Sequence, residues 1–392
     1  MSERKDDNGL YWWIVVLFLL VITWFVALNS YGQCLELVPP LMFDTSGNSS
    51  AHPNNPRIHG IQQMEWGGKN YLVGNIGNRM TKWDITDPAN PGTEARGPIF
   101  AWPSGDRDYT LFNFSICDDC KYGVVGAEVS GTIIWSWGTS SVPLFSAFNH
   151  MVNWGNVGGF TYKEAGQQYL VLNKHPNGCT GAKAGVFRVE GIGTGDQTLR
   201  QCLQTNSGGA FIVHGGIEVS GYIYLVDANM VVRIYRINGD QLDYVSEPIY
   251  GFILHGSGIR LDGDRLISAT PLFTRIYDVS DPANPVQMAE LTMPIGYANV
   301  AAISWGNALT ATKGTGTGVW FWQNGSITDN GFWDISNPWN SYPRTANYDV
   351  EFRGEYMFFA RFSTLQRIRV CNDLIFEDGV ETGDTSKWDD TQ

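Results

Sequence analysis

Three histidines recur in one local phrase. RIHG (57 to 60), IVHG (212 to 215) and ILHG (253 to 256) place His59, His214 and His255 each directly before a segment that reads as a strand. Neutral imidazole is the commonest side-chain ligand of first-row transition metals, and three of them around one axis would make a metal centre. Asn299 and Asn347 stand at comparable points of two other segments, and His150, in AFNHMVNWG, at that of another. If these positions converge, the expected chemistry is that of a metal-dependent enzyme with a histidine-lined site, and its cofactor a transition metal. The competing reading needs no metal: a wet polar channel requires hydrogen-bonding side chains, and a histidine before glycine can bond a neighbouring backbone. Site geometry, not repeat position, decides between them.

Cysteine offers a second chemistry. Cys117-Asp118-Asp119-Cys120 has C-x-x-C spacing, but a reactive pair of this type sits at a helix N-terminus that lowers a thiol's pKa, and here the pair falls at a turn between alternating segments. A structural bridge is the expectation, since a zinc knuckle needs a second such pair. The six cysteines suit three disulfides, expected as Cys117 with Cys120, Cys179 with Cys202 and Cys34 with Cys371, with free buried thiols as the alternative. No G-x-S-x-G elbow, phosphate loop or H-E-x-x-H occurs, so the common hydrolase and nucleotide signatures are missing and no catalytic residue is assigned.

The elements that must position these residues follow from a repeat. GIEVSGYIYLVDANMVVRIYRIN (216 to 238) and SGIRLDGDRLISATPLFTRIYDVS (257 to 280) share one plan: an alternating strand, a Gly or Asp turn, a second strand, a break and a third strand. The plan returns at 61 to 86 and 349 to 371, with weaker copies around 109 to 137, 157 to 190 and 300 to 323. Bulky third-strand residues fall at Trp83, Trp135, Phe187, Tyr235, Tyr277, Phe321 and Ile368, a spacing of roughly 40 to 50 residues, as propeller blades require. The fold class expected is all-β, a β-propeller of seven blades of four strands. Such packing needs large wedges, and 15 Trp, 17 Tyr and 20 Phe supply them. The segment LELVPPLMF (35 to 43) would provide the fourth strand of the last copy, with Cys34 and Cys371 locking the closure.

Charge and hydropathy narrow the partners. A net charge of -13 with no basic run excludes nucleic acid, whose backbone is bound by clustered Lys and Arg. The uncharged stretch LYWWIVVLFLLVITWFVAL (10 to 28) is long enough to cross a bilayer, and Arg4 and Lys5 hold its start in the cytoplasm. It reads either as a signal anchor or as a signal peptide cleaved near Ser30 to Gln33, and both readings put the rest of the chain outside the cytoplasm, secreted, at the cell surface or membrane-anchored. The expected organisation is a cytoplasmic stub (1 to 9), this segment (10 to 32), a propeller (33 to 371) and an acidic tail (372 to 392).

Two copies end in nearly the same words, WDITDPANP (83 to 91) and YDVSDPANPVQ (277 to 287), with an echo in WDISNP (333 to 338). The phrase resembles that of the LVIVD-repeat proteins, exported β-propellers of bacteria and archaea, and the resemblance covers roughly residues 55 to 371. It implies the same fold, an extracytoplasmic location and a cell-surface role. Turn chemistry explains the phrase by itself: the aspartates, Thr86 and Ser280 bond nearby amides, and each proline stops further pairing. The tail DLIFEDGVETGDTSKWD (373 to 389) resembles a short C-terminal motif of secreted bacterial proteins, with Val380 and Thr382 in place of the usual Phe and Ser. Trp66, Trp154, Trp305 and Trp339 are candidates for a glycan or protein platform on a propeller face. The expected function is a cell-surface binding or adhesion module with a protein or glycan ligand; the alternative is the metal-dependent enzyme.

Overall fold

A computed structural model describes residues 34–41, 58–76, 79–97, 111–127, 131–136, 144–145, 159–173, 179–180, 184–190, 197–203, 213–227, 231–250, 259–269, 273–292, 302–305, 308–313, 316–323, 326–328, 332–333, 347–361 and 365–371 of the 392. Every regular element among them is a β-strand. The expected membrane or signal segment (10 to 32) and the acidic tail (372 to 392) lie outside the described residues. The chain divides into two units, Met1–Val38 with Ile368–Gln392, and Pro39–Arg367. In the first, the described residues are all in strands.

The second unit is built from repeated sheets. Five successive ones, spanning 58–96, 111–145, 159–202, 213–250 and 259–292, each contain four strands hydrogen-bonded in chain order. The next, 302–333, adds a fifth strand, Phe332–Trp333, which pairs back on Gly316–Gln323. A last sheet, not confined to this unit, has the strand order Cys34–Leu41, Leu365–Cys371, Tyr356–Arg361, Asn347–Arg353. In the five complete sheets the first strand of each contacts the first strand of the next. The arrangement is all-β and propeller-like.

Local sequence explains each sheet. First and second strands join through two-residue loops such as Gly67–Gly68, Ala165–Gly166 and Ser220–Gly221, whose positive φ at both positions is that of the turn matching strand twist. Between the second and third strands the demand is close approach. Gly123 lies on the Trp135 indole, where a Cβ would stand 2.3 Å from a ring atom, so only glycine admits the ring.

The wedges lie where the repeat places them. Trp83, Trp135, Phe187, Tyr235 and Tyr277 are all buried, and each packs in one cluster with side chains of the preceding sheet. Trp135 meets Met64 and Val73, Phe187 meets Val124, Tyr235 meets Tyr162, and Tyr277 meets Tyr224. Trp83, from the first of these sheets, meets Phe358 and Leu365 of the last. Ile368 is also buried, and the side chain of Phe321 is outside the described set.

Carboxamides stitch the same seams. Each of four amides donates to and accepts from the backbone of one residue in a neighbouring sheet, as an added strand would: Gln62 with Ile116 (2.8 and 3.2 Å), Gln168 with Tyr122 (2.5 and 3.1 Å), Asn173 with Val213 (2.7 and 2.8 Å) and Gln201 with Leu242 (2.9 and 2.7 Å). Buried backbone groups at the sheet margins thereby gain partners that a short strand cannot offer.

One buried polar atom of these seams has no partner among the described residues. The Tyr162 hydroxyl is enclosed beside Tyr169, ring centroids 5.2 Å apart, and burial pushes its pKa well above the ordinary value. An unsatisfied buried donor costs about 1–3 kcal/mol. Tyr162→Phe is therefore expected to raise stability by about 1 kcal/mol in urea unfolding, keeping the stacked ring while removing the hydroxyl.

Candidate functional site

The histidine phrases meet the fold at a repeated irregularity. In the strand Ile58–Trp66 the pairing steps from Ile58↔Ile76 to Gly60↔Asn75, leaving His59 as an extra residue in a β-bulge. The strand Val213–Val219 does the same, from Val213↔Asp227 to Gly215↔Val226, and the extra residue is His214. Bulges of the same sense leave out Asn113 in Leu111–Ser115 and Tyr348 in Asn347–Arg353. Each of these strands is the first of its sheet. Strand Ile58–Trp66 contacts both Leu111–Ser115 and Asn347–Arg353, and Leu111–Ser115 contacts Val213–Val219.

Buried asparagines hold the backbone beside both histidines. Gly60 N–H donates to Asn75 Oδ1 at 2.7 Å, directly after His59, and Val213, directly before His214, exchanges both of its backbone groups with Asn173. Asn75 and Asn173 are 0% and 1% exposed, so these anchors work away from competing water. The side chains of His59 and His214 are outside the described set, and His255, His150 and Asn299 lie outside the described residues altogether. Asn347 opens its strand, but the extra position there belongs to Tyr348, one residue later. Among the described residues no three His, Cys, Asp or Glu side chains gather in a cluster able to hold a metal ion.

Further along the first strands, a buried ion pair crosses between sheets. Arg260 Nε stands 3.1 Å from Glu351 Oε1, and the Arg260 guanidinium donates to the Ile61 carbonyl at 3.4 Å. Gln63 Nε2 donates to Glu351 Oε2 at 3.3 Å and also to the Phe352 carbonyl. Arg260 and Glu351 are 6% and 5% exposed. Burial pushes the Glu351 carboxyl above its ordinary value, against the opposing pull of Arg260 and Gln63. This cluster joins three first strands, from the sheets 58–96, 259–292 and 347–371. No signal in the sequence marked it, because its members are far apart in the chain and each sits in an ordinary alternating pattern.

The repeated aspartate phrase is a turn with a docking role. Asp84 Oδ1 accepts from Thr86 N–H at 3.0 Å and Asp278 Oδ1 from Ser280 N–H at 2.8 Å. Asp87 accepts from Ala89 N–H and the Asn90 amide, and Asp281 accepts from Ala283 N–H and the Asn284 amide, at 2.9 to 3.1 Å. Partial burial pushes the Asp84 carboxyl up, yet hydrogen bonds from Lys69 and Thr86 outweigh it and hold the group down at about 2. The turns then receive a donor from the sheet alongside: Arg367 Nη1 bonds the Pro88 and Ala89 carbonyls at 3.0 and 2.9 Å, and Tyr224 O–H bonds the Pro282 carbonyl at 2.6 Å. The phrase is a structural turn, as its chemistry predicts, and its exposed-looking carbonyls are inter-sheet contacts that the sequence does not reveal.

Cys117 is bonded to Cys120 and Cys179 to Cys202. The expected partners Cys34 and Cys371 have side chains outside the described set; they stand at the start and end of the adjacent strands Cys34–Leu41 and Leu365–Cys371. Trp66 is half-buried against the cluster holding Met64 and Trp135, so it serves packing. Trp305 ends the strand Ala302–Trp305, and Trp154 and Trp339 lie outside the described residues.

These features define a protein of the β-propeller-like class. Comparison with solved structures agrees: the chain is similar to the protein described as U3-55K, with a TM-score of 0.53 over 80% of this chain and 95% of that one, at 12% identity. At that identity the likeness concerns the fold alone. No family model and no curated protein matches the sequence.

Proposed function

We propose that the chain is an exported, seven-bladed β-propeller of the LVIVD-repeat kind that acts as a cell-surface binding or adhesion module, with a protein or glycan as its ligand. One observation carries the reading: the aspartate phrase, the C-x-x-C pair and the wedge positions are consumed in structure. The aspartate phrase closes turns and docks sheets, the C-x-x-C pair is a disulfide, and the wedges fill seams. Recognition is then left to strand ends and loops carried by a stiff scaffold, as in most folds that present loops from a packed sheet framework.

Seven blades are supported by the order of contacts. Beyond the first five sheets, strand Ile259–Asp262 contacts Ala302–Trp305, which contacts Asn347–Arg353, which contacts Ile58–Trp66. Export is supported by the two disulfides, since such bonds persist in oxidising compartments, together with the uncharged stretch at 10 to 28. Among the described residues no helix is long and apolar enough to cross a membrane, and that stretch lies outside them.

The test has two parts. Intact cells making the full chain, treated with a protease that cannot enter, are expected to lose the epitopes of the propeller. The full chain purified in detergent is expected to bind saturably to at least one member of a panel of immobilised polysaccharides and surface proteins. Protection of the propeller until the cells are lysed would overturn export, and a folded chain that binds nothing on a broad panel would overturn the module reading.

A further inference from the structure

The Cys117–Cys120 bond encloses only Asp118 and Asp119, so it restrains the unfolded chain little beside Cys179–Cys202, whose partners are 23 residues apart. Its effect is local. The turn it closes, between strands Leu111–Ser115 and Tyr122–Ala127, clamps the sheets on either side. Asp118 Oδ1 accepts from Glu65 N–H at 2.8 Å, Asp119 Oδ1 accepts from Gly67 N–H at 3.1 Å, and Asp119 N–H donates to the Glu65 carbonyl at 2.8 Å, all on the hairpin of the preceding sheet. From the following sheet Lys163 Nζ donates to the Asp119 carbonyl at 3.4 Å. Asp119 has a φ of 51°, a conformation that costs a residue with a Cβ, and both aspartates are exposed. Hydrogen bonds that compete with water hold such a turn weakly, and the covalent bond keeps its shape. The sheet itself is anchored independently, because Gln62 holds Ile116 before the turn and Gln168 holds Tyr122 after it.

We propose that Cys117–Cys120 is a redox latch: a dithiol opens it, the turn releases the hairpin at Glu65 and Gly67, and reoxidation closes it again, with the sheets folded throughout. Cys117 is partly exposed and Cys120 is 1% exposed, so an outside thiolate reaches Cys117 Sγ. That attack breaks the bond, and Cys120 leaves as a thiolate and takes up a proton. The second thiol of the reductant then displaces Cys117 in the same way, so two electrons and two protons pass to the protein and the dithiol becomes a disulfide. Both new thiols have a place in the fold. Cys117 Sγ stands 3.7 Å from Thr161 Oγ1, which accepts from the S–H while its own hydrogen goes to the Tyr169 carbonyl at 3.2 Å. Cys120 lies among Met64, Val73, Met80 and Trp135, where a thiol behaves as a small apolar group. The inference goes beyond the surface-module reading and does not rest on it.

The experiment takes the full chain, purified in detergent with its disulfides formed, through a series of reduced-to-oxidised dithiothreitol ratios. Free thiols are alkylated and mapped by peptide mass spectrometry, and amide hydrogen exchange is followed on the same samples. Cys117 and Cys120 are expected to be labelled together at ratios where the circular dichroism spectrum is still that of the oxidised chain. Exchange at Glu65 and Gly67 should then be faster by at least about fivefold, the effect of losing one net hydrogen bond, and unchanged in Tyr122–Ala127. Removing the reductant should restore the bond and the slow exchange. The double variant Cys117→Ala with Cys120→Ala, which keeps every other cysteine, should show the fast exchange with no reductant present, and so separates the latch from any effect of reducing Cys179–Cys202. A bond that stays closed at every ratio in the folded chain, or exchange at Glu65 and Gly67 that is unchanged when it opens or in the double variant, would overturn the latch.

Discussion

Arg260→Met should destabilise the protein by about 3–5 kcal/mol at pH 7, because it leaves the Glu351 carboxylate buried with no countercharge among the described residues. Gln63 still donates to Glu351, but one neutral hydrogen bond does not repay the desolvation of an ion. The sign of the pH dependence separates this cause from lost packing. Burial already raises the Glu351 pKa, so the folded state holds that proton more tightly than the unfolded chain does. Its contribution is present below the unfolded value near 4.3 and is lost as pH rises through the folded value. Without Arg260 the pKa rises further. The deficit of the variant should therefore shrink as pH is lowered from 7 towards 5, measured by denaturant unfolding at each pH. Arg260→Met combined with Glu351→Met should recover most of the loss, since an apolar pair of similar volume avoids the desolvation cost. A single variant whose deficit is the same at both pH values would show that the guanidinium acts through packing alone.

Trp83→Ala is expected to cost about 3–5 kcal/mol, the range for truncating a fully buried large aromatic. Its position makes the loss more than local. Trp83 packs with Ile61, Leu72 and Ile85 of its own sheet and with Phe358 and Leu365 of the last sheet, so it seals the junction between the beginning and the end of the repeat. Arg367, which bonds the Pro88 and Ala89 carbonyls, crosses the same junction. Trp83→Phe should lose far less, because a smaller ring still fills most of the space. Urea unfolding would show the effect in the midpoint. A fall of under about 1 kcal/mol for the alanine variant would mean that the seam collapses around the gap and that this junction is weaker than its burial implies.

Much of the framework was legible before any coordinates. Alternation of apolar and polar residues marks the strands, the third-strand bulky residues mark the seams, and the expected Cys117–Cys120 and Cys179–Cys202 bonds are the ones formed. These are local or periodic signals, and they survive because a strand buried between two sheets can hide only apolar side chains at fixed intervals. The aspartate phrase was equally readable, since Asp87 and Asp281 bond amides two and three residues away. What it docks against was not, because Arg367 and Tyr224 come from other sheets.

The sequence alone determined the strand periodicity, the turn chemistry and the wedges, all of which depend on neighbours close in the chain. Tertiary structure decided the rest. A bulge changes register by one residue without changing composition, so the common placement of His59 and His214 with Asn113 and Tyr348 appears only once each strand is paired. The same holds for Arg260, which in its own strand is one polar residue among alternating ones and becomes half of a buried ion pair only when the sheet 347–371 brings Glu351 beside it. Pairing energies between distant residues are set by geometry and local dielectric, and neither is written at any single position of the chain.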